Sequence, residues 1–181
     1  MNMHPDCERI MLTEDQLRTR VKEVADIVDK DYEGKRPLVV GILKGSIIFY
    51  ADFVRCLTMP VELDFMAVSS YGSGAVSSGK LKIKKDLDRD VKGRDVIIVE
   101  DIIDSGFTLA NLKTLLLERG ANSVKIATLL NKAERREYDV APDYNCFDIE
   151  NEFVIGYGLD YDEQYRHLPY IGILKRSVYE K

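Results

Sequence analysis

The chain has 181 residues, 45% apolar and 31% charged, which suits one domain with a buried core. A formal charge of -5 gives no general attraction to nucleic acid or to an anionic membrane. No apolar run is long enough for a membrane span or a secretory leader. The three cysteines, Cys7, Cys56 and Cys146, are scattered and odd in number, so neither a disulfide framework nor a metal spacing is present. A cytoplasmic protein is expected, with Cys56 and Cys146 as buried thiols.

His4 lies in an N-terminal tail expected to be mobile, and the only other histidine is His167, so acid–base work is expected of carboxylates. Thr13 to Gln16 has the capping-box pattern, and Leu17, Val21, Val24 and Val28 then mark one face of a helix. Gly34 and Pro37 close that unit. Residues 38–43 read as a buried strand, Lys44-Gly45-Ser46 as a turn, and 47–57 as a helix. Pro60 precedes a strand over 61–68. Residues 69–80 hold three glycines and five serines, the composition of a mobile loop. A returning strand is predicted over 81–84, a buried strand over 95–99, a helix over 108–119 capped by Gly120, and a strand over 123–130. Strands alternating with helices predict an α/β fold, a mostly parallel central sheet flanked by helices, in one domain over 1–181. After Lys132 the pattern weakens into short strands and aromatic turns, read as a small flap (132–181) over the sheet edge.

The densest signal is Val96-Ile97-Ile98-Val99-Glu100-Asp101-Ile102-Ile103-Asp104-Ser105-Gly106-Phe107-Thr108. An apolar strand runs straight into two adjacent carboxylates, then a third, then a small polar loop and a helix. Open α/β sheets bind ligands at this end of their strands. Taken alone, Asp104 or Ser105 could simply cap the helix. The whole run suggests more. Ser105, Gly106 and Thr108 would offer backbone N–H groups and hydroxyls to an anion, and Gly106 lets the backbone approach it closely. Carboxylates beside a phosphate make sense if sugar hydroxyls and a divalent cation satisfy them. A sugar phosphate with Mg²⁺ meets both demands.

All thirteen positions resemble the signature of the type I phosphoribosyltransferases, which bind phosphoribosyl pyrophosphate. The resemblance implies that Glu100 and Asp101 take the ribose hydroxyls and that Asp104 to Thr108 hold the 5′-phosphate. Four further segments resemble the hypoxanthine-guanine branch. Leu43-Lys44-Gly45-Ser46 is similar to its pyrophosphate loop, with Lys44 and Gly45 as backbone donors and the Leu43–Lys44 bond expected to be cis. Ser70-Tyr71 is similar to the start of the loop that closes over the reaction centre. Lys132 is similar to the lysine that meets the purine 6-oxygen; otherwise it is a solvated lysine at a strand end. The segment 152–161 is similar to the base-binding block. There Phe153 would stack on the purine, Val154 would give backbone hydrogen bonds and Asp160 would hold Mg²⁺; otherwise Phe153 is core and Asp160 a turn acid. Arg166 is similar to an arginine that contacts pyrophosphate. Phe107 departs from members with a lysine at that place, so phosphate neutralisation would rest on N–H groups, hydroxyls and the helix dipole.

The resemblance implies transfer of 5-phosphoribosyl to N9 of hypoxanthine or guanine, with Asp104 as general base. It also implies Mg²⁺ held by Glu100, Asp101 and Asp160, small-molecule substrates, and a homodimer or homotetramer. Two other readings remain open on residues alone: a nucleotide-sensing RNA-binding regulator of the same fold, and a transferase for xanthine or a pyrimidine.

Overall fold

Thr13 is the N-cap of helix α1 (Glu14–Asp31), and the capping box closes in both directions. Gln16 N–H donates to Thr13 Oγ1 at 3.3 Å, and Thr13 N–H donates to Gln16 Oε1 at 2.9 Å. The buried face carries Leu17, Val21, Val24 and Val28, as the spacing predicts. The computed structural model describes residues 3–70 and 81–180. Its further elements are β1 (Cys7–Leu12), β2 (Leu38–Leu43), α2 (Ile47–Cys56), β3 (Glu62–Ser70), β4 (Leu81–Lys85), β5 (Asp95–Ile103) and α3 (Phe107–Glu118). There follow β6 (Ser123–Asn131), β7 (Tyr144–Asp148), β8 (Val154–Ile155), β9 (Ile171–Leu174) and α4 (Arg176–Tyr179).

Six strands form the central sheet in the order β4-β3-β2-β5-β6-β7, parallel throughout except for β4. Alternate residues of its middle strands enter opposite cores. Val39, Ile97, Val99, Ala127 and Leu129 pack with α1 and α2. Leu38, Val40, Val96, Ile98 and Ile126 pack with α3. A strand buried on both faces must be apolar at every position, which is why β2 and β5 read as unbroken apolar runs.

Strand β5 corrects the expectation that it ends at Val99. It continues to Ile103, because β6 supplies ladder partners as far as Asn131. On its other side, β2 pairs only up to Gly41 opposite Val99. Glu100 to Ile103 therefore have a strand neighbour on one side and a cleft on the other. Sheet pairing, not the apolar run, sets the strand's length.

A second sheet, β1-β9-β8, is antiparallel and forms a hood. Its make-up corrects the reading of residues 132–181 as the whole flap: β7 joins the central sheet, and β1 comes from the N-terminal end of the chain. Strand β1 escaped sequence reading because Glu8 and Arg9 break its apolar pattern. The tail is also not loose at His4. Its N–H donates to Tyr170 Oη at 2.8 Å, and its ring meets Tyr165 edge-on at 5.2 Å. Cys146 and Cys7 are buried, whereas Cys56 is only half-buried, on a cavity wall that includes Arg18, Asp52 and Arg166. No described helix is long and apolar enough to cross a membrane.

Two surface carboxylates predict acid sensitivity. The Arg119 guanidinium holds Asp86 below its ordinary 3.8, and the Ser123 hydroxyl, then Asn122, does the same for Asp95. Groups depressed in the fold stabilise it above their unfolded value and lose that contribution as pH falls through the folded one. The thermal midpoint should therefore drop as pH falls below 3.8, and Asp86→Asn should flatten part of that drop. A midpoint equally steep in the variant would show that the Asp86–Arg119 pair is not responsible.

Candidate active site

The overshoot of β5 places Glu100 and Asp101 at the carboxyl end of the sheet, both at least nine-tenths buried. Burial, then the neighbouring Asp101 charge, pushes Glu100 well above its ordinary value. Asp101 is raised too, by burial, against the pull of its hydrogen bonds and of Arg166. Its Oδ1 accepts from Ile102 N at 2.9 Å. The Leu43–Lys44 peptide is cis, as the resemblance implied. The next residue, Gly45, lies against the Asp101 carboxylate, and a Cβ there would overlap it. The Gly45 carbonyl in turn meets Gly158, whose φ of 105° and whose lack of a Cβ allow the approach. Acid pair, Lys44 loop and hood are thus stacked in one contact chain.

Beyond β5, the 104–108 loop turns into α3. Its N-cap is Gly106, in left-handed conformation with φ 88°, which itself offers no side-chain cap. Neither Asp104 nor Ser105 is the N-cap residue, although the Ser105 hydroxyl takes the first helical N–H. Phe107 N–H donates to Ser105 Oγ at 3.4 Å, and the first-turn N–H groups of α3 have no intrahelical acceptor. The loop is held from behind, where Glu137 N and Tyr138 N both donate to Ser105 O, at 2.9 and 3.1 Å. Phe107 packs edge-on against Tyr138. The acid pair, Gly45 and residues 104–108 line a cavity of about 280 Å³. A helix start that shares a cavity with carboxylates suits a phosphorylated polyol.

A second cavity, about 330 Å³, adjoins it under the hood. Lys132 is buried there. Its Nζ donates to Glu152 O at 2.7 Å, and burial lowers its pKa despite the pull of Asp104. This overturns the solvated-lysine alternative. Phe153 is 36% exposed and is not core. One face stacks on Tyr179 at 4.8 Å, and Tyr161 meets it edge-on. Val154 sits on the outer strand of the hood sheet, with no strand on its far side. Ile102 and Asp104 line both cavities. Arg135 Nε stands 2.9 Å from Asp104 Oδ1, off-line for a hydrogen bond, so that buried oxygen accepts none.

Beside the Lys44 loop Asp160 is bound to Arg166 Nη2 at 2.8 Å and accepts from Glu163 N at 2.9 Å. Lys44 Nζ reaches Glu163 at 2.9 Å. Ser70 ends β3, while its side chain, with Tyr71 and the loop to Lys80, lies outside the described residues. Among the described residues no three carboxylates, histidines or cysteines converge as a metal centre, so Glu100, Asp101 and Asp160 do not form a self-contained one. Sequence reading missed Arg135, Glu163 and Tyr179. Ion pairs on turns and a terminal aromatic leave no periodic signal.

The acid pair costs stability. A carboxyl whose folded value is raised loses stability as pH rises from its unfolded value. Glu100→Gln should therefore raise neutral-pH stability while weakening sugar-phosphate binding. Thermal melts with and without phosphoribosyl pyrophosphate read both effects; a less stable variant would show that Glu100 is satisfied in the free protein.

A family profile described as "Phosphoribosyl transferase domain" matches residues 12–162. The hypoxanthine-guanine phosphoribosyltransferase of Streptococcus thermophilus is 49% identical over 99% of both chains. That of Lactococcus lactis is 52% identical over 99% of this chain and 98% of its own. The crystal structure of a hypoxanthine phosphoribosyltransferase from Staphylococcus aureus superposes with a TM-score of 0.96 at 45% identity, covering all of both chains. With the profile spanning most of the chain and relatives at about half identity along its length, the chain belongs to the phosphoribosyltransferase family.

Proposed function

We propose that the protein is a purine-salvage enzyme that transfers 5-phosphoribosyl from phosphoribosyl pyrophosphate to N9 of hypoxanthine or guanine, giving the nucleoside monophosphate and pyrophosphate. The observation that carries this reading is the sharing of Asp104 between the two cavities. One cavity offers acids and the N–H groups of a helix start to a ribose phosphate. The other offers a buried ammonium and an exposed aromatic face to a planar oxo base. A carboxylate at their junction can reach a proton on the base while the sugar carbon is attacked.

In this reading Glu100 and Asp101 accept hydrogen bonds from the ribose hydroxyls. Residues Asp104 to Thr108 hold the 5′-phosphate through backbone N–H groups and hydroxyls, and Lys44 and Gly45 donate N–H groups to the pyrophosphate. Asp104 takes the N7 proton as N9 becomes nucleophilic. Lys132 donates to the 6-oxygen and stabilises the charge that develops there. It also selects against a 6-amino group, which brings a donor and no acceptor. Phe153, backed by Tyr179, stacks on the purine, and Val154 gives the base backbone hydrogen bonds.

The donor set fits Mg²⁺. Glu100, Asp101 and Asp160 present hard carboxylate oxygens, the first two buried side by side at the end of β5. A metal that takes one or two carboxylates, with substrate oxygens and water completing its shell, needs no centre of three. The chemistry Mg²⁺ supplies when bound is charge neutralisation on the leaving pyrophosphate. A cytoplasmic homodimer or homotetramer belongs to the same reading.

Pyrophosphate release should be followed with hypoxanthine, guanine, xanthine, adenine and uracil offered separately. Turnover is expected with hypoxanthine and guanine and not with adenine or uracil. Asp104→Asn should lower kcat by about 10²–10⁴ while phosphoribosyl pyrophosphate still binds. Folded protein that binds the sugar phosphate yet turns over no base would favour the regulatory reading instead.

A further inference from the structure

Residues 161–164 form a two-residue turn. Gln164 N donates to Tyr161 O at 3.0 Å and Tyr161 N to Gln164 O at 3.3 Å. Both central residues are left-handed, Asp162 at φ 51° and Glu163 at φ 59°. Such turns ordinarily take asparagine and glycine, and glutamate is a poor residue for that backbone. A side chain kept there against its local preference points to a use for the side chain.

The Glu163 carboxylate reaches two cations on different segments. Lys44 Nζ, on the loop after β2, is 2.9 Å away, and Arg166 Nη2, on the hood, is 3.4 Å away. Arg166 also donates from Nη1 to Gly158 O at 2.8 Å, and its Nε is buried without an acceptor. A guanidinium with an idle buried donor is not fully satisfied by the groups around it. Both Lys44 and Glu163 side chains are about two-thirds exposed, so the pairing is screened and weak enough to exchange.

We propose that Glu163 is an internal competitor for pyrophosphate. Its carboxylate occupies Lys44 and Arg166 in the free enzyme, yields them when a diphosphate arrives, and reclaims them as pyrophosphate leaves. The inference rests on the reading that Arg166 meets pyrophosphate. Its effect is on diphosphate affinity and release, and Glu163 itself does not line the second cavity. A competitor of this kind keeps the cations from holding the product too long, at some loss of substrate affinity.

The test compares wild type, Glu163→Gln and Arg166→Gln by calorimetric titration with inorganic pyrophosphate in the presence of Mg²⁺. KM values for both substrates are measured alongside. Glutamine keeps the turn and the side-chain length but removes the charge. One exposed ion pair, to Lys44, and one half-exposed pair, to Arg166, predict that Glu163→Gln binds pyrophosphate roughly three- to tenfold tighter. KM for phosphoribosyl pyrophosphate should fall in step while KM for hypoxanthine holds. Arg166→Gln should bind pyrophosphate more weakly. Unchanged or weaker pyrophosphate binding in Glu163→Gln, with Arg166→Gln also weakened, would overturn the competitor role and leave the site reading standing. Unchanged binding in Arg166→Gln would overturn both.

Discussion

Two adjacent buried carboxylates on β5 set the terms for the rest of the site. Burying a pair of adjacent acids is unfavourable: burial raises both, and Asp101 accepts a backbone N–H. The pair is there because β6 carries the ladder four residues beyond the point where β2 stops. That one mismatch in strand length opens the cleft, exposes one side of the strand end and aims the chain into the 104–108 loop. The Lys44 loop and hood then dock on the acids through Gly45 and Gly158, where two missing side chains let three segments touch.

Charge across the site follows a simple division. The acids sit at the sheet end, backbone N–H groups at the start of α3, and cations around the rim. In the free protein most of those cations already have a carboxylate: Arg135 has Asp104, Arg166 has Asp160 and Glu163, and Lys44 has Glu163. Lys132 is the exception, paired to a carbonyl, with its pKa lowered by burial. Ligand binding at this site is therefore an exchange of partners more than a neutralisation of bare charge, and each exchange lowers the net gain from any single contact.

The legible parts of this chain were those where local physics and tertiary structure agree. The capping box at Thr13, the apolar runs of β2 and β5, and the glycine after α3 each have one physical solution. The thirteen-residue acidic run is legible for a different reason: acids directly after an apolar strand make no sense in a core and good sense at a strand end. What could not be read depends on distant partners. Strand β1 has weak alternation and is a strand only because β9 pairs with it. The length of β5 is set by β6. Arg135, Glu163 and Tyr179 matter through what they face, and the alternatives for Lys132 and Phe153 were separable only once the hood was in place.

The pairing of β1 with β9 joins the two most distant strands of the chain, Cys7 opposite Leu174. During synthesis the central sheet and the 104–108 loop can assemble while the hood has no middle strand. Strand β8 hangs on β9, and β9 on β1, so the cavity lined by Lys132, Phe153 and Tyr179 closes only when the last tenth of the polypeptide has left the ribosome. An interrupted chain would thus carry the 104–108 loop and the buried acids with no second cavity beside them.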